Sequence, residues 1–98
     1  MPGVVTRERD AQPALVRVPF PVPARETLPP PRHYAHLVMD GRVVPAGYTE
    51  TTRGCHHTCA HCPVVPVYRG RFFAIPRQVV LADIRQQVAR GVRHITFG

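Results

Sequence analysis

An α/β fold follows from three features of the sequence. Asp40-Gly41 separates two apolar stretches, as in a β-hairpin. Apolar residues recur every fourth position between Pro76 and Arg90, as on a helix. Stretches rich in β-branched and aromatic residues stand on either side of that helix, as in strands. With 98 residues the chain has room for one small domain at most.

Residues 1–33 read as an irregular lead-in. Pro19, Pro21 and Pro23 alternate with apolar residues, and Pro29, Pro30 and Pro31 run together. Proline lacks a backbone donor and fixes φ, so a long helix or a central strand is not expected here. The expectation is an extended segment that lies along another surface, or is disordered when alone. Tyr34 to Met39 and Arg42 to Val44 then form a hairpin, because both central residues of a type I′ turn need positive φ and Asp-Gly supplies them. Pro45 is expected to end its second strand, which makes residues 34–46 a hairpin linker.

Residues 47–98 hold the more regular part. Residues 47–54, GYTETTRG, read as one short strand feeding a loop, and the cysteine loop runs from Cys55 to Cys62. Pro63 and Pro66 are expected to keep the next residues extended, and Arg69-Gly70-Arg71 to form an exposed turn. Pro76 suits a first helical position, and Gly91 a stop. Val80, Leu81, Ile84 and Val88 form the expected core face of the helix, with Asp83 on another face. Val92 to Phe97 reads as the second strand. Strand, loop, helix and strand make a βαβ unit with a parallel pair and a right-handed crossover. A parallel sheet needs more strands than these two, and the reading is of a fold that stops after its second strand.

The formal charge is +7, and all thirteen basic residues are arginine. They are scattered from Arg7 to Arg93, which favours a solvated surface, although a nucleic-acid partner stays open. No apolar run approaches the roughly 20 residues of a membrane helix. Thr6, Arg7, Glu8, Arg9 and Asp10 interrupt any signal-peptide core. The cytoplasm is then the expected compartment, where cysteines stay reduced and available as ligands.

The chemistry concentrates in Cys55, Cys59 and Cys62, spaced C-x3-C-x2-C. Three thiolates bent around one loop can each reach a different iron of a cubane cluster. The fourth iron is left for a substrate or cofactor, whereas ferredoxin clusters use four cysteines. The rival reading is a Cys3His zinc site with His56, His57 or His61. Structural zinc ordinarily takes ligands from two knuckles, and the sequence has one.

This spacing, directly after a strand and inside a βαβ unit, resembles the signature of the radical S-adenosylmethionine superfamily. The resemblance covers residues 47–98. It implies the N-terminal portion of a full or partial (β/α) barrel, truncated after the second strand, with its cluster loop at the C-terminal mouth of the first. It implies that Cys55, Cys59 and Cys62 ligate a 4Fe-4S cluster, and that the methionine part of S-adenosylmethionine chelates the open iron. Reductive cleavage then gives a 5′-deoxyadenosyl radical that abstracts hydrogen from a substrate. His61 stands where the family has an aromatic residue beside adenine, and Gly98 where its glycine-rich cofactor-binding stretch begins. That stretch carries an acidic residue absent from these 98 residues. Leu28-Pro29 through the hairpin also looks like the lead-in of members with an upstream cobalamin-type domain. The implied partners are the missing C-terminal barrel portion and an electron donor such as flavodoxin or ferredoxin. Without the missing portion, no catalysis and poor stability are expected.

The remaining residues have plainer readings. His56 and His57 are expected to face solvent, with donation to a cluster sulfur as the alternative. Arg53 pairs with Glu50, reaches the cofactor carboxylate, or is an ordinary surface arginine. Tyr68, Arg69 and Arg71 read as a solvated loop, with the lining of a substrate entrance as the alternative, and His94 reads as a hydrogen-bonded core residue. The competing function is a small zinc-binding or basic nucleic-acid-binding module.

Overall fold

The computed structural model describes residues 5–10 and 15–98. Its strands are β1 (His36–Met39), β2 (Arg42–Thr49), β3 (Thr52–Gly54), β4 (Phe72–Ala74) and β5 (His94–Phe97). Its α-helices are α1 (Val65–Tyr68) and α2 (Arg77–Ala89). One sheet has the order β1-β2-β5, and β3 and β4 form a two-stranded ribbon. The α/β class agrees with the expectation. The chain divides into two compact units. One holds the stretch up to Pro19 with Gly54–Phe73, the other Phe20–Arg53 with Ala74–Gly98.

In the second unit the hairpin forms as expected. Asp40 and Gly41 take φ of 52° and 74°, and the strands pair from Met39↔Arg42 to His36↔Pro45. The expected strand end at Pro45 is corrected, because β2 runs on to Thr49. Pro45 stands where β2 changes partners. Antiparallel pairing with β1 ends at Pro45, and parallel pairing with β5 begins at Ala46↔His94. The ladder asks of Pro45 only an acceptor, and its carbonyl takes the Arg93 N–H at 3.0 Å. The single strand expected over 47–54 is likewise corrected: Thr49 ends β2, and Thr52 begins β3.

The parallel β2–β5 pair with α2 in its connection is the expected βαβ order. Pro76 sits at the N-cap, one residue earlier than expected, with its carbonyl accepting from the N–H groups of Val79 and Val80. Gly91, at φ 94°, closes the other end. Its N–H bonds the Val88 carbonyl and that of Val92 bonds the Gln87 carbonyl, a paired closure that needs a left-handed residue.

The expected core face of α2 is corrected. Val88 is 54% exposed, and Val80, Leu81 and Ile84 are only half-buried, while Asp83 and Gln87 are buried. A polar network accounts for this. Arg25 donates from Nε and Nη2 to the two Asp83 oxygens at 2.7 and 2.8 Å, and Nη2 also reaches the Tyr48 carbonyl. Thr49 Oγ1 donates to Asp83 at 2.6 Å, and Gln87 Nε2 donates to Asp83 and to the Tyr48 carbonyl. Burial alone pushes the Asp83 carboxyl up. The hydrogen bonds of Arg25 and Thr49, with the guanidinium charge, outweigh it and hold the group below the usual carboxylate range. Every buried side-chain nitrogen and oxygen among the described residues has a partner, as a polar interior requires. Val92 is the only buried apolar side chain among them.

The network also fastens the lead-in. Gln86 donates to the Pro23 carbonyl, and Arg90 donates to those of Leu28 and Pro29. Within residues 20–33, single 3-10 turns at Arg25–Thr27 and Pro31–His33 interrupt an otherwise extended backbone, whereas in the first unit Thr6 and Arg9 bridge across a tight turn, which corrects the expected extended conformation there. The parts of the lead-in at residues 1–4 and 11–14 lie outside the described residues. A mostly apolar cleft of about 450 Å³ lies under the strap.

Candidate metal centre

The first unit carries the cysteine loop. Gly54 ends β3 at φ 94°, and a Cβ there would sit 2.5 Å from both the Arg71 carbonyl oxygen and Tyr68 Cδ1. Only glycine lets the chain enter the loop this close to the returning backbone. Cys55 follows directly. The Cys62 N–H closes a turn onto the Cys59 carbonyl at 3.1 Å, and the Val65 N–H bonds the Cys62 carbonyl.

The extended conformation expected after Pro63 is corrected here, since Val65–Tyr68 form one helical turn with Pro66 in its first positions. Proline is tolerated there because those N–H groups have no intrahelical acceptor. Arg69 then takes φ 50° and Gly70 φ 75°, the exposed turn expected from Arg69-Gly70-Arg71. The turn lies against the cysteine loop. A methyl group placed on Gly70 would stand 3.4 Å from the His56 carbonyl oxygen and 3.5 Å from Thr58 Cγ2.

All three cysteines are free thiols. Cys55 and Cys62 are half-buried and Cys59 is exposed. His56, His57 and His61 are exposed, as expected for the first two, and His56 packs edgewise on His57 and against Phe72. Among the described residues no three His, Cys, Asp or Glu side chains converge as a metal's ligands. What fits a cluster is the donor chemistry: three unpaired soft thiols on one accessible loop. The loop and its return, residues 54–73, contain Arg69 and Arg71 but no Asp or Glu.

The other predicted residues lie in the second unit. Arg53 pairs with Glu50 at 3.0 and 2.6 Å and stands 5.0 Å over the Phe20 ring, which fulfils the pairing option. Gly98 follows β5, and its carbonyl accepts from Thr51 N–H and Thr51 Oγ1. His94 is half-buried on β5. The Arg25–Asp83–Thr49–Gln87 network had no signal in the sequence beyond a carboxylate placed beside an apolar helical stripe, because its partners are 34 and 58 residues away.

Comparison with known proteins bears on this loop. No family model and no solved structure matches the chain. A tRNA-2-methylthio-N(6)-dimethylallyladenosine synthase of Bdellovibrio bacteriovorus is 43% identical over 67 residues, 68% of this chain and 14% of that protein. The ribosomal protein uS12 methylthiotransferase RimO of Alkalilimnicola ehrlichii is 32% identical over 108 aligned positions, 96% of this chain and 21% of that protein. The tRNA-2-methylthio-N(6)-dimethylallyladenosine synthase of the same organism is 31% identical over 98 residues, 99% of this chain and 20% of that protein. The chain is a homologue of radical S-adenosylmethionine enzymes. Within them its relatives are methylthiotransferases, enzymes that use 4Fe-4S clusters and S-adenosylmethionine. It spans about a fifth or less of the length of these curated relatives. Among the described residues no helix is long and apolar enough to cross a membrane.

Proposed function

We propose that this chain carries the radical-generating segment of a radical S-adenosylmethionine enzyme, with Cys55, Cys59 and Cys62 holding a 4Fe-4S cluster. The observation that carries this is the set of three free thiols at C-x3-C-x2-C spacing on one accessible, acid-free loop, in a chain homologous to such enzymes. When bound, the cluster supplies one electron for cleaving S-adenosylmethionine, and the adenosyl product takes hydrogen from a substrate. This chain's part is to present the thiolates and leave one iron uncoordinated by protein. His61 neighbours the adenine in this reading, and Gly98 opens the stretch that meets the cofactor's amino group. The parallel β2–β5 pair is the start of the barrel, completed by further βα units, and an electron carrier supplies the reducing equivalent.

The relatives aligned over nearly the whole chain are named for different substrates, a tRNA and a ribosomal protein. That contrast supports assigning this segment to the shared radical-generating step rather than to substrate choice. The substrate of the whole protein is left unassigned for the same reason. The test is anaerobic reconstitution with iron and sulfide, followed by assays of iron, sulfide and zinc. About four irons and four sulfides per chain, lost in Cys55→Ala, Cys59→Ala and Cys62→Ala, are expected. Stoichiometric zinc without sulfide would overturn the reading.

A further inference from the structure

We infer that residues 20–33 form a releasable latch, and that its Arg25 holds the closing ends of β2 and β5 in order. When the latch undocks, the clasp between Thr51 and Gly98 loosens. The coupling lies wholly within the second unit and holds whether or not the cysteine loop carries a cluster.

Two properties make the latch releasable. None of residues 20–33 is buried, and their backbone hydrogen bonds close only turns of their own segment. The grip on α2 and the sheet is made by side chains: Arg25 on Asp83 and the Tyr48 carbonyl, Gln86 on the Pro23 carbonyl, and Arg90 on the Leu28 and Pro29 carbonyls. A segment held by a few largely exposed bonds opens locally at low cost. What Arg25 holds is the opposite in character, since Thr49 and Asp83 are the most deeply buried side chains among the described residues. Arg25 reaches the last two residues of β2, Tyr48 through its carbonyl and Thr49 through Asp83. The Thr49 carbonyl accepts the Gly98 N–H at 3.1 Å. The Gly98 carbonyl in turn accepts from Thr51 N–H at 2.6 Å and Thr51 Oγ1 at 2.7 Å. When Arg25 leaves, the Asp83 carboxylate loses its cation, and a buried unpaired charge draws in water or shifts until it is solvated. Either movement disturbs the Thr49 hydroxyl, which donates to Asp83 Oδ2, the oxygen that Arg25 Nη2 also holds. Phe20 lies 5.0 Å beneath the Arg53 guanidinium, and Arg53 pairs with Glu50, so a second contact joins the latch to the segment after β2. These are the carboxyl ends of a parallel pair, the end at which open α/β sheets bind ligands. The latch therefore acts on the end of the sheet that carries sites.

The test is hydrogen exchange on the full chain, read at the Thr27 and Leu28 amides of the latch and at the Thr51, Thr52 and Gly98 amides of the clasp. Arg25→Ala should speed exchange of the clasp amides about fivefold or more, the lower bound of a usual coupling between sites. Coupling is reciprocal, so Thr51→Val, which removes the Oγ1 bond to Gly98, should speed exchange at Thr27 and Leu28. Gln86→Ala removes a latch bond outside the Asp83 network and should leave the clasp amides within about twofold of the wild type. Protected α2 amides show that a variant is folded, and where Arg25→Ala loses that protection the Thr51→Val variant decides. Clasp amides unchanged in Arg25→Ala, latch amides unchanged in Thr51→Val, or an equal effect of Gln86→Ala on the clasp overturns the inference. So does loss of α2 protection in both Arg25→Ala and Thr51→Val, because the latch is then no separately releasable element.

Discussion

Replacing Arg25 by alanine should release the lead-in strap from α2. The wild-type guanidinium donates two charge-assisted hydrogen bonds to Asp83 and a third to the Tyr48 carbonyl. Asp83 is 2% exposed and keeps only the Thr49 and Gln87 donors once Arg25 is gone. Breaking a wholly buried pair costs about 3–5 kcal/mol, and a hydrogen bond to a charged group is worth about 1.5–3 kcal/mol. The Arg25 side chain is 24% exposed, so the lower part of these ranges applies. A cost of about 2 kcal/mol corresponds to about a thirtyfold rise in the opening constant of the strap. Hydrogen exchange reads it directly at the Thr27 and Leu28 amides, which bond the Ala24 and Arg25 carbonyls. Arg25→Lys should recover little, because an ammonium cannot grip both carboxylate oxygens in the same plane. Unchanged exchange at Thr27 and Leu28 in Arg25→Ala, with α2 still protected, would refute the reasoning.

Two further outcomes follow from the same structure. The Asp83 carboxyl lies below its unfolded value in the folded chain, so its contribution to stability is full above that unfolded value, near pH 4, and is lost as pH falls through the folded one. Strap protection followed from about pH 6 to about pH 2 should therefore fall on the acid side, and the fall should vanish in Asp83→Asn. Gly54→Ala places a methyl group 2.5 Å from the Arg71 carbonyl oxygen at a φ of 94°, whereas Gly41→Ala, at φ 74°, meets nothing within 4 Å. Iron bound on reconstitution should drop in Gly54→Ala and stay at the wild-type level in Gly41→Ala.

Local chemistry made much of this fold legible. Asp40-Gly41 sets a turn whatever surrounds it, and Gly91 ends α2 through its own φ. The cysteine spacing is chemistry written along one loop. What escaped depends on residues far apart in the chain. The Val80–Ile84–Val88 stripe has the right period for a core face, yet the buried face lies one position round the helix, because Arg25 and Thr49 satisfy Asp83 there. Pro45 looked like a stop because its neighbours on either side were not visible in the sequence. Val65–Tyr68 looked extended because Pro66 reads as a breaker until its place in a first turn is known. The pairing of Arg53 with Glu50 was legible as one of three options, being a contact across three residues.

The dual pairing of β2 ties two registers into one. The hairpin turn fixes which residues of β2 face β1, and the same uninterrupted strand then meets β5. A slip of one residue at Asp40-Gly41 would carry through Pro45 and turn Thr49 away from Asp83. The turn thus acts as an indexing tooth. By setting the count at one end of the strand, it selects which hydroxyl arrives at the carboxylate at the other.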